Sequence, residues 1–166
     1  MKELKIQFTR PKGHKFPILS KIIRWAEKTP YSHVRLKWIN TTGTSLVYEA
    51  SGDEVKFLGP MAQLRAPVEI VSEFVFTLDQ EAYRRLVKIC MKYAGIKYSK
   101  KQLIGLLLVK LLRLKKNPIR DGHQGQICTE LGARICNEVL YLNLEIDYDT
   151  AGLRELHNLL DKRKQQ

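Results

Sequence analysis

The chain has 166 residues, 44% of them hydrophobic, enough for one packed core and too apolar for wholesale disorder. Lys plus Arg number 29 against 17 Asp plus Glu, a formal net charge of +12. That excess favours an anionic partner, whether nucleic acid, lipid headgroups or an acidic substrate, and is silent about fold.

Along the chain, Leu4 to Phe8 alternates apolar and polar residues, which predicts a short first strand. Pro11 and Gly13 break it. Pro17 can open a helix in which Ile18, Ile22, Trp25 and Ala26 recur at helical spacing, and Thr29 and Pro30 stop it. His33 to Trp38 alternates again, with Val34, Leu36 and Trp38 on one face and His33, Arg35 and Lys37 on the other. Ser45 to Ala50 reads as the return strand. A loop over residues 39–43 pairs Trp38 with Thr44, Leu36 with Leu46 and Val34 with Tyr48, so the apolar residues share one side. The same register sets His33 opposite Glu49.

Val55 to Leu58 predicts a third short strand and Val68 to Leu78 a long one. Asp79 can cap a helix from Gln80 to Ala94 that Gly95 closes. A Leu-rich helix follows from Lys101 to about Lys115, then the polar run NPIRDGHQGQ, then ICTELGARICNEVL with helical periodicity. An amphipathic helix over residues 150–162 ends the pattern. No repeat or low-complexity segment interrupts it, and a single domain over residues 1–166 is expected.

The three cysteines, Cys90, Cys128 and Cys136, are odd in number and unclustered, which argues against a disulfide framework and for a reducing compartment. The start MKELKIQFTRPKGHK lacks an apolar h-region. The longest apolar stretch, Leu103 to Leu114, is interrupted by Lys110 and Arg113 and is too short to span a bilayer. A cytoplasmic location is therefore expected. That stretch reads either as a core helix or as one lying on an anionic lipid surface.

Cys128 stands where a glycine-bearing polar loop meets a helix, whose free N–H groups and dipole lower a thiol's pKa. Cys128, Leu131, Ile135 and Val139 share one helical stripe, so the sulfur should face the sheet, and Gly132 leaves room for close approach. Cys90, on a face with Ala82, Leu86 and Tyr93, and Cys136, two turns into its helix, read as core residues. His14, His123 and His157 have no carboxylate placed by a hairpin; His33 does. Thiol, base and orienting group are the minimum for nucleophilic acyl transfer. Cys128, His123 and His33 lack CxxC or HxxxH spacing, so neither metal nor cofactor is expected. The stripe turns Cys128 inward while alternation puts His33 with Arg35 and Lys37; both hold if the helix start sits over a cleft at the sheet's edge.

The strings YSHVRLKW, VYEASGDEV and ICTELGARI, in that order, resemble the circularly permuted papain-like superfamily, relatives of the NlpC peptidases and of lecithin-retinol acyltransferase. Ser32, His33 and Val34 match its first strand, Glu49 and Ala50 its second, and Cys128, Thr129, Glu130 and Leu131 its helix. Gly95 and Tyr98 match its "G-x-x-Y". Arg35 departs from the small residue many relatives carry there, and the basic Leu-rich helix is not part of the pattern. The resemblance implies an α+β fold, a twisted antiparallel sheet packed on the cysteine-bearing helix with additional helices. It further implies a thiol hydrolase or acyltransferase acting on a peptide, amide or lipid acyl bond. Cys128 would be the nucleophile, His33 its base and Glu49 the group holding the ring. The Cys128 backbone N–H, Gln126 or Tyr31 would bind the oxyanion. The alternative expectation is a basic nucleic-acid- or anionic-lipid-binding protein without catalysis.

Overall fold

The computed structural model describes residues 2–12, 18–65, 67–119 and 126–164. Pro17, His14, His123 and most of the polar run before Cys128 lie outside these residues.

Five strands form an antiparallel sheet in the order β4-β3-β2-β1-β5: β1 (Lys2–Pro11), β2 (His33–Ile39), β3 (Ser45–Ser51), β4 (Glu54–Leu58) and β5 (Val68–Leu78). The helices are α1 (Ile18–Glu27), α2 (Pro60–Arg65), α3 (Gln80–Tyr93), α4 (Lys100–Leu112), α5 (Cys128–Glu138) and α6 (Leu153–Lys164). The protein is thus a mixed α+β fold. Leu4, Ile6, Phe8, Val34, Leu36 and Trp38 alternate onto the covered face of the sheet and are almost wholly buried. The α5 helix packs across β2 and β3, with α3 and α6 beside it. Leu131, Ile135 and Val139 are buried there, as their stripe predicts. A Cβ on Gly132 would stand 3.1 Å from Leu156 Cδ2 and 3.4 Å from Val34 Cγ1, so the glycine lets α5 approach both neighbours closely.

The β2–β3 hairpin corrects the expected register. Trp38 faces Leu46 and Leu36 faces Tyr48, so each β2 residue meets a partner two positions beyond the one expected. The cause is Asn40. Its Oδ1 accepts from the backbone N–H of Thr42 at 3.0 Å and of Thr44 at 2.9 Å, while its own N–H donates to Thr44 O at 3.0 Å. Gly43, with φ 81°, completes the turn. The loop therefore spans residues 40–44. A shift of two preserves which face each side chain takes, so the apolar pairing survives.

Asp79 caps α3, its side chain accepting from Ala82 N at 2.7 Å. The α4 helix stops at Leu112, short of the expected Lys115, because Arg113 turns left-handed (φ 54°). Asn117 then folds back to donate from Nδ2 to Gln102 O at 3.2 Å. Leu103, Leu106, Leu107 and Val109 bury one side of α4, while Ile104, Leu111 and Leu112 stay exposed. No helix among the described residues is long and apolar enough to cross a membrane. The α2 helix has no counterpart in the sequence reading.

Candidate active site

Cys128 is the first residue of α5, preceded by Ile127 in extended conformation at the cap position. The segment before it is tied down: Tyr98 and Gln126 form a parallel bridge, Gln126 N donates to Lys97 O at 3.0 Å, and Ser99 N donates to Gln126 O at 3.2 Å. This clamp fixes where α5 begins. The N–H groups of a helix's first turn have no intrahelical acceptor, so the start of α5 presents donors and a positive dipole end beside the sulfur.

His33 is the first residue of β2, the central strand of the sheet, and pairs with Thr9 of β1. The β1–β5 register slips between Phe8 and Thr9, a bulge of the kind that re-aims side chains. The thiol and the imidazole lie at the end of β2, the central strand, where the sheet's face gives way to the cleft. Cys128 is 7% exposed, and its sulfur lies near enough to the His33 ring and the Val34 backbone N–H for both to favour its thiolate.

His33 Nε2 lies 3.2 Å from Glu49 Oε2. That leaves Nδ1 as the ring atom available to Cys128. Extending the observed register sets Arg35 opposite Glu49 and His33 opposite Ser51, so His33 and Glu49 are diagonal neighbours, a separation their side chains span. Ser51 Oγ donates a short hydrogen bond to Glu49 Oε1. Both carboxylate oxygens are thus engaged.

Behind Glu49 a polar row crosses the sheet. Arg35 Nε donates to Gln7 Oε1 at 3.0 Å, Gln7 Nε2 donates to Glu73 Oε2, and Lys5 Nζ lies 3.3 Å from Glu73. Arg35 and Gln7 are buried.

Burial alone lowers the pKa of His33, but the negative charge of Cys128, its hydrogen bond and the Glu49 carboxylate push it up to about 10. For Cys128, burial opposes the thiolate. The His33 charge, the hydrogen bond with that ring and the Val34 N–H outweigh it and bring the thiol below its ordinary value. Burial would raise Glu49; His33, then Ser51 and Arg35, hold it down at about 2. The three groups favour a thiolate, an imidazolium and a carboxylate in contact. Cys90 and Cys136 go the other way, since burial pushes both thiols up, Cys136 to about 12.

The proposed oxyanion groups are placed differently from one another. Gln126 is buried two residues before Cys128, with Oε1 lacking a hydrogen-bond partner. Tyr31 packs on Phe8 and stacks on His157, with ring centroids 4.9 and 5.3 Å apart. Burial and the Glu27 carboxylate push its phenol up to about 12. Ser51, the Val34 N–H and Tyr98 are contributors that the sequence reading gave no role. Burial and the charge of Cys128 both raise the Tyr98 phenol. Ser51 was legible as a hydroxyl two residues from Glu49, on the same strand face.

A cleft of about 380 Å³ opens beside the His33–Glu49 pair, lined also by Thr9, Ser32, Arg35 and Pro67. A larger hollow of about 900 Å³ lies elsewhere, among Lys2, Lys5, Lys37 and Glu73, and Cys128 lines neither space.

No protein-family model matches the chain, and no curated protein does. Among solved structures it is similar to the crystal structure of metalloprotein yiiX from Escherichia coli O157:H7, DUF1105, with a TM-score of 0.55 and 21% identity. The match covers 84% of this chain, which spans 66% of that protein's length. At this identity the likeness concerns fold alone. That neighbour is called a metalloprotein; among the described residues here no three His, Cys, Asp or Glu side chains gather as a metal-binding group.

Proposed function

We propose that the protein is a thiol-dependent hydrolase or acyltransferase of the permuted papain-like kind, acting on an amide or ester through Cys128, His33 and Glu49. The observation that carries this reading is the 3.2 Å contact of His33 Nε2 with Glu49 Oε2, beside a Cys128 sulfur that interacts with the same ring at a helix start. The order His33, Glu49, Cys128 along the sequence supports the permuted assignment. The mixed α+β architecture, with α5 packed on β2 and β3, agrees with it.

The Cys128 thiolate adds to the acyl carbonyl carbon, forming a C–S bond and placing negative charge on the carbonyl oxygen. The Cys128 backbone N–H at the start of α5 is the donor best placed for that oxygen, with Gln126 the second candidate. The His33 imidazolium gives its Nδ1 proton to the leaving amine or alcohol as the C–N or C–O bond breaks. A thioester remains. Water attacks it to give the acid, or an alcohol or amine attacks it to give acyl transfer; His33 removes the proton from the incoming nucleophile. Glu49 holds the ring so that Nδ1 faces the sulfur and stabilises its cationic form.

The test is labelling of the full chain by a thiol-directed acyl or haloacetamide probe at neutral pH. One modified site, lost in Cys128→Ser, is expected, with Cys90 and Cys136 inert. Robust labelling that survives Cys128→Ser refutes the assignment. An unreactive Cys128 combined with salt-sensitive nucleic-acid binding would favour the non-catalytic alternative.

A further inference from the structure

The α1 helix is inverted relative to an ordinary surface helix. Four of its five large apolar residues face solvent: Ile18 is 76% exposed and Trp25 70%, with Leu19 and Ile22 also exposed. The side turned to the protein carries Ser20, Ile23, Ala26 and Glu27. Isolated exposed apolar residues are normal, but a ridge of them containing tryptophan marks a contact surface. The neighbouring α4, which packs on α1, has exposed Ile104, Leu111 and Leu112 of its own.

Charge selects the occupant. No Asp or Glu occurs from Leu4 to Ala26 or from Lys97 to Ile119. Exposed Lys21 and Lys28 stand on and just beyond α1, and exposed Lys101 and Arg113 lie at the two ends of α4. A second copy docked through the same face would set these cations against their own kind. Nucleic acid supplies the opposite charge but has no use for an aliphatic ridge. A bilayer with anionic headgroups satisfies both parts, taking the apolar side chains below its surface and the lysines at headgroup level. Tryptophan is favoured at that boundary.

We infer that α1, with the exposed side of α4, docks the protein on an anionic membrane surface. The docking face is joined to the candidate site. Ser20 of α1 and Ser32 share a buried hydrogen bond of 2.7 Å, and His33 follows directly. A bilayer under α1 therefore lies within a short chain distance of the cleft.

The full chain is sedimented with vesicles of phosphatidylcholine alone and with added phosphatidylserine. Binding to the mixed vesicles and little to the neutral ones is expected, falling steeply with salt. Of the two tryptophans, Trp38 is buried, so a blue shift on binding reports Trp25. Ile18→Ala with Trp25→Ala, and separately Lys21→Glu with Lys28→Glu, should each weaken binding about tenfold or more. These side chains are solvent-exposed, so unchanged thermal unfolding confirms that the variants fold. Cys128→Ser should bind as the parent does, which separates this inference from the thiol chemistry. Absence of vesicle binding, equal binding by either variant, or a dimer abolished by Ile18→Ala/Trp25→Ala without lipid binding would each overturn it.

Discussion

His33 and Glu49 meet diagonally across the β2–β3 hairpin, with Nε2 to Oε2 at 3.2 Å. The contact decides which ring nitrogen is left for Cys128, and it couples the charge of all three groups. Several consequences can be measured.

Replacing Glu49 by Gln keeps its shape and removes the charge that supports the His33 cation. The reactivity of Cys128 toward a haloacetamide near neutral pH should fall, and any acyl-transfer rate should drop on the order of a hundredfold or more. The thiol's apparent pKa should rise in the same variant, an effect that loss of packing alone does not produce.

Ser51→Ala removes the hydroxyl that engages Glu49 Oε1. A hydrogen bond to a charged group contributes about 1.5–3 kcal/mol, so chemical denaturation should show a loss toward the lower end of that range. Rescue by Ser51→Thr separates the hydroxyl's role from that of packing.

The Glu49 carboxyl titrates near 4.5 when unperturbed and at about 2 in the fold. Its folded value is depressed, so its stabilising effect is complete above 4.5 and is lost as the pH falls toward 2. His33 has the opposite sign: raised from 6.5 to about 10, it stabilises fully below 6.5 and loses that effect as the pH rises through about 10. Urea midpoints across pH should fall on both flanks, and His33→Gln should flatten the alkaline one.

Gly152→Ala should destabilise the fold. A Cβ there would lie 2.3 Å from Glu27 Oε2. Glu27 is buried and held by the Arg154 N–H at 3.1 Å at the start of α6, so it has little room to yield. A cost of about 1–3 kcal/mol is expected for such overpacking, read as a lowered denaturation midpoint.

Much of this was legible in the sequence because the signals were local. Alternation at Leu4–Phe8 and His33–Trp38, the Asp79 cap, and the stripe through Cys128, Leu131, Ile135 and Val139 each depend on residues a few positions apart. The hairpin register was not, because two pairings with the same face parity bury the same residues. The side-chain bonds of Asn40 choose between them. The misplacement cost the site little, since His33 and Glu49 stay on one face either way. The outward turn of Ile18, Ile22 and Trp25 was illegible for a different reason: helical periodicity identifies a stripe but not what covers it. The Phe8–Thr9 bulge and the Tyr98–Gln126 bridge join segments far apart in sequence, and no local pattern announces them.

The most direct test is a thiolate titration of Cys128, taken as the ultraviolet absorbance difference between the parent chain and Cys128→Ala across pH. Thiolate should appear below the ordinary thiol value of 9.0, and His33→Ala should move the transition upward. A transition at or above 9.0 that ignores His33→Ala would contradict the pairing of sulfur and ring on which the proposed chemistry stands.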